Sequence, residues 1–493
     1  MDEPSLRQRT AGTLKWNVLD RVATQVLYAV TGVVLARILS QEDFGLVGAV
    51  MVFQAFASLL VDSGFSHALI QRKNPTQTDF STVMWFNVGV ALAIYAVAWV
   101  CAPLVADCFG GDQRLIPLTR AMFVTVPMNA ALIVQCSRLV KRMDVRMIAV
   151  ANSLGLVAGA VVGITLALHG SGAWAIVWQS ITLSIVKNAV LWVSEGWCPS
   201  PVFSVAALRS YAGIGSRMLL TSFLNTLFLN VYSFVVGNRA GLVALGYYTQ
   251  GDKWSKMGIT SISQVLVSSF LPALSAVQDE PERFRRLVRR MNRCTAYILF
   301  PATLGLAALA TPIFHTLFGT KWDAAIVLFQ MLLVRGVFTV LNSLYNNYIL
   351  AIGRARLIVR LELLRDVVAI VALVCTLPVI ALSTEADPVA GLRYMLWGQI
   401  AASALTWAVS VAVAARSIGA SVWGFVADIA PYAALTLLIV PVMLFAGGFV
   451  ASPLAACVTE AAVAVGLYAG LNRLAGSRIQ ADLIRELTGK KTA

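Results

Sequence analysis

Ala102-Pro103-Leu104, followed by Phe109-Gly110, closes one long apolar run, and 209 positions later Thr311-Pro312-Ile313, followed by Phe318-Gly319, closes another. Two more echoes accompany this one. Phe44-Gly45-Leu46 opens one apolar segment as Leu245-Gly246-Tyr247 opens a later one, and Gln71 to Pro75 follows the first as Gln278 to Pro281 follows the second. Proline near a helix end and glycine after it are each common, so a single echo carries little. Three at matching places mark a multi-helix unit duplicated into two lobes. Two such lobes in a bilayer can open a central cavity to each side in turn, which points to transport.

The composition sets the solvent. Of 493 residues 58% are hydrophobic and 13% charged, and the mean hydropathy is +0.77, outside the range of soluble globular chains. A helix needs about 20 apolar residues to cross the hydrocarbon, so spans and short turns consume the chain. Hydropathy and turn residues predict an all-α integral membrane protein of about fourteen helices: 13–38, 43–67, 79–107, 114–137, 146–168, 172–194, 208–237, 241–275, 286–317, 323–351, 356–382, 389–415, 422–446 and 451–473. Met1 to Thr10 are polar and no small-residue cleavage pattern follows the first apolar segment, so it reads as an uncleaved span. The seven cysteines form no Cys-x-x-Cys and the three histidines are scattered, so neither a disulfide framework, a metal site nor a cofactor is expected.

The formal charge of +14 has three conceivable partners: nucleic acid, anionic lipid, or the topology itself. Position decides. Loops on one side carry about 25 Lys and Arg, including Arg72, Lys73, Arg138, Lys141, Arg142 and the run from Arg283 to Arg293; the other side carries about five, Arg37, Arg114, Arg239, Lys321 and Arg393. The positive-inside rule then puts both termini in the cytoplasm, and most of the charge is topology, with no role for nucleic acid. An even number of spans per copy makes the repeats parallel. The expected layout is an N-terminal lobe over 1–194, a linker over 195–207 with Gly196, Pro199 and Pro201, a C-terminal lobe over 208–417, two appended spans over 418–475 and a cytoplasmic tail over 476–493.

The stretch from Leu35 to Leu46, with Arg37, Gln41, Glu42, Asp43, Phe44 and Gly45, resembles the opening of the polysaccharide transporter (Wzx-type) flippases of the multidrug/oligosaccharidyl-lipid/polysaccharide exporter superfamily. So do Asp62-Ser63-Gly64-Phe65-Ser66, Ala68 to Lys73, Leu245-Gly246-Tyr247-Tyr248, Leu317 to Trp322, and Ala351-Ile352-Gly353-Arg354. The resemblance covers roughly residues 13 to 360. It implies a fourteen-helix, two-lobed fold in the bacterial inner membrane. The implied cargo is an undecaprenyl-pyrophosphate-linked sugar repeat unit, moved from the cytoplasmic to the periplasmic leaflet, and the implied partners are bilayer lipids and the polysaccharide polymerase and export machinery. The chain departs from the family pattern before Gly237, where relatives carry a more polar or charged pattern and Leu229, Tyr232 and Ser233 here leave only Asn225 and Asn230, and at Gln250, where relatives often have Arg. Recurrent motifs of this kind sit at turns and packing sites, so they identify a fold more than a cargo.

Eight basic residues are unexplained by topology: Arg21, Arg120, Lys187, Arg217, Lys253, Lys256, Arg335 and Arg365. A charge in hydrocarbon costs at least about 2.5–3.5 kcal/mol, so each must face the bundle interior, water or a partner. Arg217, Lys253, Arg335 and Arg365 fall near mid-span on four helices of the second copy, and Lys256 shares a face with Lys253, three residues after Gln250. These residues, with Arg21, are the candidate pyrophosphate and sugar cavity, Arg matching phosphate by its fork and Lys as a point charge. The competing reading is internal neutralisation, through Asp252 with Lys256, Glu362 with Arg365, and Asp366 and Asp62 across helices. Asp20, Asp62, Glu362 and Asp366 are alternatively candidates for a coupling cation or proton. Gly155, Gly159, Pro127 and Pro301 inside spans serve packing or bending.

The leading expectation is a lipid-linked oligosaccharide flippase, with no covalent chemistry. A multidrug exporter of the same superfamily wants an acidic or apolar cavity for cationic drugs, against the basic surplus; a peptidoglycan-precursor exporter also wants cations, and the opening motif favours the polysaccharide branch. A membrane polymerase or ligase needs a sizeable periplasmic loop with catalytic groups, and the longest such loop, 383–388, is too short.

Overall fold

A chain immersed in lipid must satisfy its backbone within each segment, and helices do so. The computed structural model describes residues 6–62, 65–384, 386–450, 452–477 and 479–482, with no strand among them. The helices are α1 (Leu6–Ile38), α2 (Gln41–Asp62), α3 (Phe65–Gln71), α4 (Gln77–Cys108), α5 (Leu115–Met122), α6 (Thr125–Lys141), α7 (Arg146–Leu168) and α8 (Trp174–Glu195). After them come α9 (Val205–Ser275), α10 (Pro281–Ala308), α11 (Ala310–Leu317), α12 (Asp323–Ala351), α13 (Ala355–Ile380), α14 (Ala390–Ser417), α15 (Val422–Gly447) and α16 (Pro453–Leu474).

Among the described residues twelve helices are long and apolar enough to cross a membrane, and the bent pair α10 and α11 makes a thirteenth. The long α9 is counted once there, but Gly241 interrupts it at φ 87° and ψ 177°, a conformation essentially reserved for glycine. Dividing α9 at that point yields the fourteen segments expected from hydropathy.

The duplicated signature does the same local work twice. Phe109 closes α4 by donating its N–H to the Ala106 carbonyl, Phe318 closes α11 by donating to Phe314, and the glycines that follow turn the chain at φ 79° and 85°. The prolines differ in consequence. Pro103 sits inside α4 and its missing N–H leaves the Trp99 carbonyl without its helical donor. Arg120 supplies one, Nε donating at 3.3 Å while the guanidinium lies 4.8 Å from the centre of the Trp99 ring. In the second copy the helix breaks instead, α10 and α11 meeting at 59°, and Gln330 Nε2 donates to the Ala307 carbonyl beside the break at 2.9 Å.

The chain forms two compact units, Met1–Gly246 and Tyr247–Ala493. In the first, α7 packs on α8 through Gly155, Gly159 and Gly163; a Cβ at these positions would lie 2.9, 2.7 and 2.9 Å from Leu183, Gln179 and Gln179. This is close packing by small residues. The echoed glycines Gly45 and Gly246 meet: a Cβ on Gly45 would strike the Leu242 carbonyl, and one on Gly246 the Gln41 carbonyl. The segment 195–207, expected as the linker between lobes, is held tightly to the first unit. Trp197 is buried in a cluster with Phe65, Leu69, Phe80 and Tyr211, its indole N–H donates to Gln77 at 2.5 Å, and the Ser200 N–H donates to Ser81 at 3.0 Å. The unit boundary falls further along, after the first arm of α9. In the second unit α12 is the central helix, packed by α10 and α14, with α13 on α14 and α15 on α10 and α16.

Candidate functional site

The second unit gathers charge around Asp252. This residue and its neighbours lie early in the second arm of α9, Arg335 lies about 18 Å along α12, and Gln399 about 14 Å along α14, at 1.5 Å per residue. The three helices bring these positions to one level. Lys256 Nζ lies 2.5 Å from Asp252 Oδ2, one helical turn away, and Arg335 Nη2 lies 3.7 Å from Asp252 Oδ1. Arg335 Nη1 donates to the Gln399 carboxamide oxygen in a short hydrogen bond. Lys253 stands 5.3 Å from the centre of the Trp254 ring, and Trp254 is fixed twice, by its N–H donating to Gln250 at 3.1 Å and by packing on Phe318 at 5.1 Å. The signature phenylalanine of the second copy thus supports the ring beneath a cation. Its counterpart Phe109 packs on Phe53 and Phe234, with no charge involved.

Two features give this cluster chemical capacity. Two cations, Lys256 and Arg335, flank the Asp252 carboxylate, and Lys253, the next residue in the chain, adds a third over the Trp254 ring, so the cations of this segment outnumber its acid by two. Moreover, Gln399 is 3% exposed and its Nε2 has no partner, and Asp252 Oδ1 accepts no hydrogen bond. A buried donor left unmade costs about 1–3 kcal/mol, so the amide awaits an acceptor. Arginine, two lysines and a free amide donor are the groups that hold phosphate oxygens.

The other expected residues distribute differently. Arg365 does not join Arg335: it lies half-exposed on α13, 3.2 Å from Asp366 and 4.0 Å from Glu362. Asp366 therefore pairs along its own helix and not across helices as the sequence allowed. Arg21 is exposed on α1. Asp20 accepts from Asn152 Nδ2 at 3.2 Å to each oxygen and from Thr24 at 3.3 Å, which ties α1 to α7 without a cation. The side chains of Asp62 and Arg217 lie outside the described residues. Arg120 serves the Trp99 carbonyl, and Lys187 borders a cavity in the first unit. Sequence reasoning missed Gln399 and Trp254. Gln399 carries a signal in retrospect, as a lone polar amide amid the apolar run from Leu396 to Leu405.

Known proteins now bear on this geometry. The description "Polysaccharide biosynthesis protein" matches residues 34–327, more than half of the chain. The succinoglycan biosynthesis transport protein ExoT of Rhizobium meliloti (strain 1021) is 26% identical over 353 residues, 71% of each chain. The lipopolysaccharide biosynthesis protein WzxC of Escherichia coli (strain K12) is 24% identical over 381 residues, 75% of each. Among solved structures, the lipid II flippase MurJ in an inward closed conformation matches with a TM-score of 0.67 at 14% identity, over 95% of this chain and 100% of that one, a likeness of fold. With its two helical units, its duplicated Pro and Phe-Gly signature and a family match that runs through both spans that carry it, the chain belongs to the polysaccharide biosynthesis protein family of membrane transporters.

Proposed function

We propose that this protein is a lipid-linked oligosaccharide flippase, carrying undecaprenyl-pyrophosphate-linked repeat units from the cytoplasmic to the periplasmic leaflet by alternating access. The observation that carries the site is the cationic surplus around Asp252. Moving a bare pyrophosphate through hydrocarbon would cost tens of kcal/mol by Born solvation, so a carrier must supply cations at mid-membrane depth while the lipid tail stays in the bilayer. Lys253, Lys256 and Arg335, with the Gln399 amide, supply them. Arg217, Arg21 and Arg365 complete the candidate set, Arg365 after release from Asp366. Asp20, held by Asn152, is the favoured place for a coupling cation or proton, ahead of Asp62, Glu362 and Asp366.

In this reading the protein lies in the bacterial inner membrane with both termini cytoplasmic, does no covalent chemistry, and hands its cargo to a polymerase and export machinery. The names of its relatives, for succinoglycan and lipopolysaccharide biosynthesis, support a polysaccharide cargo. Deletion of the gene should accumulate lipid-linked repeat units on mass spectrometry and remove the surface polysaccharide; an unchanged pool with intact polysaccharide sinks the proposal. Arg335→Glu should abolish complementation of that deletion while membrane levels of the protein hold, and full activity would remove Arg335 from the site.

A further inference from the structure

The first unit contains a cavity of about 500 Å³, within the size range of ligand pockets. It lies among α2, α3, α6 and α8, and its polar lining is Ser58, Ser66, Asn129, Cys136, Ser137, Ser184 and Lys187. None of these belongs to the Arg335 cluster. Lys187 is the sole charged residue of the lining, and no Asp or Glu among the described residues joins it. Lys187 lies eight residues before Glu195 at the end of α8, about 12 Å along the axis. That is deep enough for an unpaired ammonium to cost at least about 2.5–3.5 kcal/mol unless the cavity contents solvate it. The rest of the polar lining is hydroxyl, amide and thiol, on walls of Val61, Ile133 and Leu183.

We infer that this cavity is a second oxyanion site, for one negative charge carried on a hydroxyl-bearing group. Charge count sets the class. Lys187 alone balances a single carboxylate or phosphate, where the surplus of two at Asp252 suits a pyrophosphate. Serine and asparagine side chains add hydroxyl-directed hydrogen bonds on the same walls. Two sources offer this chemistry: an acidic sugar of the cargo, which rests on the flippase reading, or the phosphate headgroup of a bilayer lipid, which does not.

Cys136 lines the same cavity and reports on it. Full-length protein in phosphatidylcholine nanodiscs is treated with sulfonatoethyl (anionic) or trimethylammonioethyl (cationic) methanethiosulfonate, and the Cys136 adduct is quantified by peptide mass spectrometry. The anionic reagent should react faster, and the ratio of rates should fall about tenfold in Lys187→Gln or Lys187→Met, while Lys187→Arg keeps it. With the neutral methyl reagent as label, glucuronate should slow reaction where glucose does not if the occupant is an acidic sugar. Slowing on exchange of phosphatidylcholine for phosphatidylglycerol identifies a lipid headgroup. A ratio equal in wild type and both neutral variants overturns the inference, as does labelling that neither glucuronate nor phosphatidylglycerol slows. The readout needs no transport, so an unchanged lipid-linked sugar pool on gene deletion would defeat the flippase reading and leave this result standing.

Discussion

Asp252 holds Lys256 at 2.5 Å but Arg335 only at 3.7 Å, so the arginine is the partner most easily given up to an incoming anion. What keeps Arg335 in place is the Gln399 carboxamide. Gln399→Leu removes that acceptor and strands a guanidinium N–H, which should cost about 1–3 kcal/mol and lower complementation well below wild type, with retained protein checked by immunoblot. A variant transporting at the wild-type rate would show that Gln399 does not position Arg335. Outside the spans, Asp112 accepts from Arg114 Nη2 at 2.7 Å, and Arg114 also reaches Glu42. Hydrogen bonding to Arg114 holds the Asp112 carboxyl below its ordinary value of 3.8. A depressed folded value means stabilisation present above 3.8 and lost as pH falls below it. Because Arg114 is 56% exposed, water screens the pair, and Asp112→Asn should cost no more than about 1 kcal/mol. Thermal unfolding should show that difference near neutrality and find it gone in strong acid.

Two glycines decide the path of α9. Gly241 takes φ 87° and ψ 177°, which a side chain strains by about 1–3 kcal/mol, and it lets one long helix turn between its arms. Five residues on, Gly246 approaches Gly45 of α2 so closely that either Cβ would enter the opposing backbone. Gly241→Ala should lower the midpoint of thermal unfolding in detergent, and Gly45→Val should lower it more, because a carbonyl fixed in a helix cannot move aside as a flexible side chain does. Equal, small effects would mean that this contact opens readily. The paired prolines show how one signature yields two shapes. Beside Pro103 the freed Trp99 carbonyl finds Arg120 and α4 stays whole; ahead of Pro312 the helix breaks at Leu309, and Phe318 beyond it turns to Trp254.

For the whole molecule, a pyrophosphate cargo leaving a negative interior gains about 2.3 kcal/mol per charge for each 100 mV. Collapse of the membrane potential at fixed pH should therefore slow export in a reconstituted vesicle assay, and an unaltered rate would point to cation or proton coupling through Asp20 instead. The fourteen apolar segments and their duplication were legible in the sequence because lipid demands long uninterrupted helices, and charges within them stand out against the background. Hydropathy is blind to bends inside a segment, so the break at Leu309 was not legible, nor was the tight seating of 195–207 on the first unit, which rests on the burial of Trp197. The cations themselves were equally plain, but their partners were not. Helical spacing offered Asp252 with Lys256 and Glu362 with Arg365 on the same terms, and both pairs exist. Sequence by itself thus determined a duplicated membrane transporter fold with basic residues at mid-span. Only the tertiary structure decided that Arg335 meets Asp252 and Gln399 while Arg365 stays with its own helix, because that choice depends on which faces of α9, α12 and α14 pack together, and periodicity within one helix carries no record of its neighbour.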